Sequence, residues 1–483
     1  MVRFGLASLI VGFCGVHVRA AASVLETTDQ PAIAPRKLLS FPVTRSTHTD
    51  ELSDRRRREV RRDTVLDTDT TVFNYSSVSY LVELEMGTPA QKVKVVVDTG
   101  SSELWVNPDC SKASSEPQQE ECIDNGSYDP SGSSTARISN RMKALKYGLG
   151  KATIRYVEDD IALPNSDVDL SGVRFGVATE SDYVSHGILG LSFGNGLNLE
   201  YNSFIDELVD QKIVDSRTVS IALGTKDEQD HSGLITFGGV DTKKFIGDLH
   251  TAPILERQNN ETFYRYWVNL DSVSITDSKD NSKTYSNESF PVFFDTGSTL
   301  SYLPKSIVDS LASDIGGRYS EALERVIVPC GLQGQLHFTF GDYTVDVDLE
   351  EFTWELSDGV TCAMGAQSEE DGSYVLGASF LRSVYTVYDL DTPALHFAHY
   401  ANCGTNLQEI PKGKNTAGKF TGECGVEDIP SASSNGTSRR RVDGAADVDG
   451  DDDNAAPRYL INGGAMWMGV GLVVSYHAAW SFL

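Results

Sequence analysis

One local pattern occurs twice in this chain, and the repetition limits the fold more than any other feature. Val95-Val96-Val97-Asp98-Thr99-Gly100-Ser101 in the first half returns in the second as Val292-Phe293-Phe294-Asp295-Thr296-Gly297-Ser298. Each copy is followed by an apolar-apolar-Gly run, Ile188-Leu189-Gly190 after the first and Val375-Leu376-Gly377 after the second. A single Asp-Thr-Gly describes any Asp turn. Two copies at matching positions, each fed by an apolar strand, predict two homologous lobes that set their turns face to face.

The residues between the copies read as strands. Tyr80 to Met86 alternates, Lys92 to Val97 is Val-rich, and Thr218–Leu223, Gly233–Phe237, Val268–Ile275 and Tyr385–Asp389 behave alike. Helical signals are short, at Tyr201–Gln211 and Lys305–Ile315. With 483 residues, 40% hydrophobic and 23% charged, the chain has enough length for two lobes with full cores. The expectation is an all-β, bilobal fold with lobes at 63–245 and 246–403 and the active site in the cleft between them.

The two ends carry processing signals. Arg3, the apolar stretch Phe4 to Val18 and Ala20-Ala21-Ala22 make residues 1–22 a secretory signal peptide. Residues 23–62 read as a propeptide that ends in Arg55 to Arg58 and Arg61-Arg62, so a processing protease is expected to cut after Arg62. Within it, Lys37 is a candidate to neutralise the two Asp turns. Residues 404–454 become Ser-, Asp- and Gly-rich and read as a stalk. Asn454-Ala455-Ala456, a short spacer and the apolar tail Ala465 to Leu483 match a GPI-attachment signal over 455–483, with Asn454 as the attachment site. The tail is long enough to be a transmembrane helix, but it lacks a basic flank.

Secretion places the chain in an oxidising compartment. Of its seven cysteines Cys14 leaves with the signal. Cys110, Cys122, Cys330, Cys362, Cys403 and Cys424 then form disulfides, and sequential pairing is expected because each pair closes a short local loop. Sequons begin at Asn74, Asn125, Asn260, Asn287 and Asn435. The net charge of -28 excludes nucleic acid as a partner and suits life at acid pH.

Asp98 and Asp295 define the chemistry. Two carboxyls sharing one site cannot both ionise, so one proton is shared. The ionised member takes a proton from water and the protonated member polarises a carbonyl. No His-Glu-x-x-His or Cys/His ligand spacing occurs among the nine histidines, which leaves no metal or cofactor in the scheme.

Asp98-Thr99-Gly100-Ser101-Ser102-Glu103-Leu104-Trp105-Val106 and Asp295-Thr296-Gly297-Ser298-Thr299-Leu300 resemble the two active-site motifs of pepsin-like aspartic proteases. Gly87-Thr88-Pro89 and Gly238-Gly239-Val240-Asp241 fall in comparable places, and the likeness spans roughly residues 75–400. Signal, basic propeptide end and GPI-like tail bring the yapsin-like fungal members nearest. The resemblance implies a monomeric endopeptidase acting on polypeptides. It gives Thr99 and Thr296 the task of bracing the dyad, and it has Ser101 and Ser298 bond the outer carboxylate oxygens. It makes Tyr147, Gly148, Leu149 and Gly150 a flap whose Tyr147 is held by Trp105, and it pairs Cys330 with Cys362. Yapsins prefer basic residues before the cut. Leu149 stands where an acid would serve that preference, and Glu103, Glu116, Glu120 and Glu121 are the other acids at hand. A mainly hydrophobic primary pocket is expected. A catalytically inactive peptide-binding protein on the same scaffold is the alternative; it would be expected to have lost an Asp, a dyad hydroxyl or the flap tyrosine, and none is missing.

Overall fold

The alternation in the first lobe becomes a sheet with one wet and one dry face. In the computed structural model, residues 37–48 and 77–429 are described, apart from 108–109, 113–115, 149, 165, 167, 183–185, 227, 229–232, 322, 357–360 and 414. The chain separates into a unit of residues 1–433 and a second of 434–483, and the second lies outside the described residues. So do the signal peptide, Arg62, Asn74, Asn435 and Asn454.

The first lobe is built from β1 (Leu39–His48), β2 (Ser77–Met86), β3 (Gln91–Asp98), β4 (Leu104–Val106), β5 (Arg137–Tyr147), β6 (Gly150–Ala162), β7 (Asp169–Asp182) and β8 (Gly187–Gly190). β9 (Thr218–Ala222) and β10 (Gly233–Phe237) follow. Tyr80, Val82, Leu84 and Met86 of β2 point into the core with Val93, Val95 and Val97 of β3. On the other face Lys92 pairs with Glu83 at 2.8 Å and Glu85 at 3.3 Å. β3 runs parallel to β8, with Asp98 opposite Gly190. The second lobe repeats the arrangement: Phe290–Phe294 runs parallel to Val375–Leu376, with Phe294 opposite Leu376. The repeat in sequence is thus a repeat in topology, and the fold is all-β and bilobal.

Strand Val384–Asp389 of the second half pairs with β9 of the first, so one sheet continues across both halves. β1 sits inside that sheet, pairing through Leu39–Val43 with β10 and through Thr44–His48 with β2. Phe41 and Val43 are buried in the common core. The segment read as propeptide therefore contributes a strand to the fold. Lys37 does not approach the Asp turns; its ammonium meets Asp215 at 2.8 Å and its N–H meets Glu409 at 3.0 Å.

Two further differences from the sequence reading have simple causes. Val268–Ile275 is not one strand but two, Trp267–Leu270 and Ser272–Asp277, which lie in different sheets. Between them Asp271 donates its N–H to Thr339 O at 2.8 Å and accepts Gly341 N–H at 2.7 Å. The stalk does not begin at 404. Leu407–Glu409 pairs with Gly239–Asp241, Thr421–Glu423 pairs with Ile246–Asp248, and Ile410 and Ala417 are buried. These strands of three residues are too short to show a period in sequence.

Disulfides join Cys110 to Cys122, Cys330 to Cys362 and Cys403 to Cys424. Among the described residues the α-helices are Glu116–Asn125, Phe204–Asp210, Lys305–Asp314 and the short Ala378–Leu381. Ser203 and Asp206 cap the second of these reciprocally. Glu116, Glu120 and Glu121 all fall on the first, inside the Cys110–Cys122 loop. Asn260 and Asn287 are exposed. Asn125 is a correction: it ends its helix at 8% exposure, which leaves no room for a glycan. Among the described residues no helix is long and apolar enough to cross a membrane.

Candidate active site

β3 delivers Asp98 to the floor of the cleft, and Phe290–Phe294 delivers Asp295 from the opposite lobe. The braces between the two turns are reciprocal. Thr99 N–H donates to Thr296 Oγ1 and Thr296 N–H donates to Thr99 Oγ1, both at 3.1 Å. Thr99 Oγ1 then donates to Phe294 O at 2.9 Å and Thr296 Oγ1 to Val97 O at 2.7 Å. Each hydroxyl thus fills two hydrogen-bonding roles across the lobes, and both threonines are buried, at 1% and 2% exposure. Buried hydroxyls satisfied in this way rigidify what they join.

Within each turn the backbone meets its own carboxylate: Gly100 N–H reaches Asp98 Oδ1 and Gly297 N–H reaches Asp295 Oδ1, each at 2.8 Å. The glycines also face the opposite Asp. A Cβ at Gly100 would lie 2.5 Å from Asp295 Oδ2, and one at Gly297 would lie 2.6 Å from Asp98 Oδ1. The turns interlock so closely that only hydrogen fits between backbone and carboxylate.

The serines differ. Ser101 Oγ donates to Asp98 Oδ2 at 2.5 Å. Ser298 Oγ donates instead to Leu300 O at 2.8 Å, so its expected bond to the outer oxygen of Asp295 is not made. Asp98 therefore holds two donors from its own turn and Asp295 one. Asp98 is buried while Asp295 keeps some surface toward the cleft. The protein around it, and then the neighbouring charge of Asp98, hold the Asp295 carboxyl well above its ordinary value; Arg265 opposes them.

β5 and β6 form a hairpin whose closing pair is Tyr147 and Gly150. Trp105 Nε1 donates to Tyr147 OH at 2.7 Å, and the two rings lie 6.3 Å apart. Burial, then the charge of Asp98, pushes the Tyr147 hydroxyl up, so it stays protonated. Gly148 is exposed at the tip, and Leu149 lies outside the described residues.

Sequence reasoning missed two contributors, Arg265 and Thr299, and gave a third, Glu103, a different role. Arg265 reaches across the lobes to Gly100 O at 2.6 Å and pairs with Glu261 at 2.9 Å. Thr299 pins the start of β2, donating to Val78 O at 3.0 Å and accepting its N–H at 3.2 Å. Glu103 is not a free acid for a substrate; Lys143, Tyr156 and Tyr201 occupy its carboxylate. Apart from the Arg265–Glu261 pair, four residues apart, none of these contacts has a local signature, because the partners lie far away in sequence.

Comparison with known proteins agrees with this geometry. The family described as eukaryotic aspartyl protease matches residues 79–400. The probable aspartic-type endopeptidase opsB of Aspergillus fumigatus is 30% identical over 439 residues, covering 86% of each chain. Aspartic proteinase 3 of Saccharomyces cerevisiae is 28% identical over 425 residues, 71% of this chain and 74% of that one. Aspartic proteinase yapsin-3 of the same yeast is 31% identical over 364 residues, 70% of this chain and 69% of its own.

Proposed function

The chain belongs to the eukaryotic aspartyl proteases and is an aspartic-type endopeptidase, and from that premise we propose that Asp98 and Asp295 are its catalytic pair and that it works at the cell surface after secretion as a zymogen. The observation that carries the reading is the interlock of the turns, in which each glycine lies against the other turn's carboxylate. Such closeness supports the reading that the two carboxyls share one water.

The water oxygen attacks the scissile carbonyl carbon as Asp98 takes one of its protons, and Asp295 gives its proton to the carbonyl oxygen. The resulting gem-diol collapses when the C–N bond breaks; the amine leaves with a proton and the carboxyl pair regains its starting charge. Tyr147 closes the cleft against water, and a dry cleft strengthens each of these electrostatic contacts. With Glu103 occupied, a mainly hydrophobic primary pocket is the preferred reading, and polypeptides are the substrates.

Maturation follows the sequence signals. Cleavage after Arg62 cuts the chain between β1 and β2, after which β1 is held in the shared sheet by its pairing with β10 and β2. Asn260 and Asn287 are the described sites open to glycosylation. Attachment at Asn454 would tether the enzyme to the membrane. The deciding experiment is proteolysis at acid pH by purified residues 23–454, with and without a pepstatin-type inhibitor, beside Asp98→Asn. Inhibitor-sensitive cleavage that vanishes in the variant is expected; a folded, processed sample that cleaves nothing would overturn the catalytic assignment.

A further inference from the structure

Glu103 takes no part in the peptide-bond chemistry, yet it is a carboxylate at 4% exposure directly after the first Asp turn. An isolated anion at that depth is unfavourable unless donors surround it. Three side chains do so. Lys143 of β5 meets Oε1 at 2.6 Å, Tyr156 of β6 donates to the same oxygen at 2.8 Å, and Tyr201 donates to Oε2. Both strands of the hairpin that carries Tyr147 are therefore tied to one side chain of the segment that carries Asp98.

β6 is held by its long pairing with β7 and, at its end, with β2, whereas β5 has far less to hold it. β5 is the last strand of its sheet and pairs only with β6, with an irregular register between Ile138 and Met142. Of its residues only Leu145 is buried, while Ile138 and Met142 are exposed at 54% and 48%. The neighbouring arginines are engaged elsewhere: Arg141 pairs with Glu200, and Arg174 pairs with Glu158 at 2.5 Å. Beyond its pairing with β6, β5 is placed by the buried Leu145, by the Arg141–Glu200 pair and by polar ties to the segment that follows the first turn. Two such ties lie along it, Lys143 to Glu103 and Tyr147 to Trp105.

We propose that Glu103 is a positioning residue for the flap: through Lys143, Tyr156 and Tyr201 it latches the hairpin 137–162 to the first catalytic turn and sets how fast the hairpin opens over a bound peptide. The proposal rests on the reading of Asp98 and Asp295 as the catalytic pair beneath that hairpin. Lys143 is the useful point of attack, because its side chain is 43% exposed and its loss leaves the core intact.

The test compares wild type, Lys143→Met, Lys143→Arg, Glu103→Gln and the Lys143→Met/Glu103→Gln pair in the full chain after processing. Lys143→Met should speed release of a pepstatin-type inhibitor and raise KM, each roughly tenfold, the factor of one charge-assisted hydrogen bond. kcat should stay within about twofold, since the reacting carboxyls are untouched. Hydrogen exchange should quicken in 137–162 and nowhere else. Lys143→Arg should restore wild-type values, and the double variant should show less than the sum of the two single effects, because both remove the same contact. Unchanged inhibitor release and exchange in Lys143→Met, or additive effects in the double variant, would overturn the latch. The exchange experiment needs no catalysis. A wild type without inhibitor-sensitive cleavage would therefore refute the catalytic reading while the exchange data still decide the latch.

Discussion

Gly100→Ala is the sharpest probe of the interlocked turns. The added methyl would sit 2.5 Å from Asp295 Oδ2, 2.6 Å from Cγ and 2.7 Å from Oδ1. A comfortable carbon–oxygen contact is about 3.3–3.6 Å, so the carboxyl or the turn has to move by roughly 1 Å. Gly100 does not use a left-handed backbone angle, so alanine brings no conformational strain of its own. The reciprocal threonine bonds keep the turn from yielding freely, which leaves the Asp295 carboxyl to move. A displacement of about 1 Å at a reacting group is worth on the order of a hundredfold in rate, or about 2.7 kcal/mol of barrier. The assay is kcat on a peptide substrate at acid pH, with thermal unfolding alongside. Gly132→Ala is the control, because the nearest atom to its Cβ would be Gln91 Nε2 at 3.8 Å. The expected result is a kcat about a hundredfold lower for Gly100→Ala, a Tm within a few degrees, and a control indistinguishable from wild type. A Gly100→Ala enzyme within about threefold of wild-type kcat would refute the claim that the glycine spaces the carboxyls.

The remaining predictions concern the Asp295 carboxyl and a buried ion pair. The folded Asp295 carboxyl is raised above its ordinary 3.8, so its share of stability is fully present below that value and is lost as pH rises through the folded value. Asp295→Asn removes the loss, and the Tm difference in favour of the variant should grow between pH 3 and pH 8; a difference that stays flat would refute the raised carboxyl. In the core, Arg382 and Glu351 form an ion pair at 1% and 6% side-chain exposure, with the guanidinium 4.1 Å from the Trp354 ring. Arg382→Met strands the carboxylate and should lower unfolding free energy by about 3–5 kcal/mol in urea. A change below about 1 kcal/mol would show that Glu351 had found another partner or a proton.

Much of this protein was determined by local sequence. Strands β2 and β3 announce themselves through alternation, and the two apolar-Asp-Thr-Gly-Ser segments mark the lobes. Those signals are readable because strand periodicity and turn chemistry depend on neighbours a few residues apart. The pairing of Asp98 with Asp295 was legible for a different reason, since a duplicated pattern implies a duplicated structure. What tertiary structure decided lies in contacts between distant residues. Thr99 meets Thr296 across 197 positions, and Arg265 meets Gly100 across 165. Both serines follow Asp-Thr-Gly, yet Ser101 turns to its Asp and Ser298 to Leu300. Lys37 found Asp215 and not the active turns, because β1 runs into the shared sheet, away from the cleft. Residues 404–429 looked like linker and became part of the body, because short strands take their partners from elsewhere in the fold. Local pattern specifies which residues form an element. Only packing, which joins residues far apart in the chain, specifies what each side chain touches.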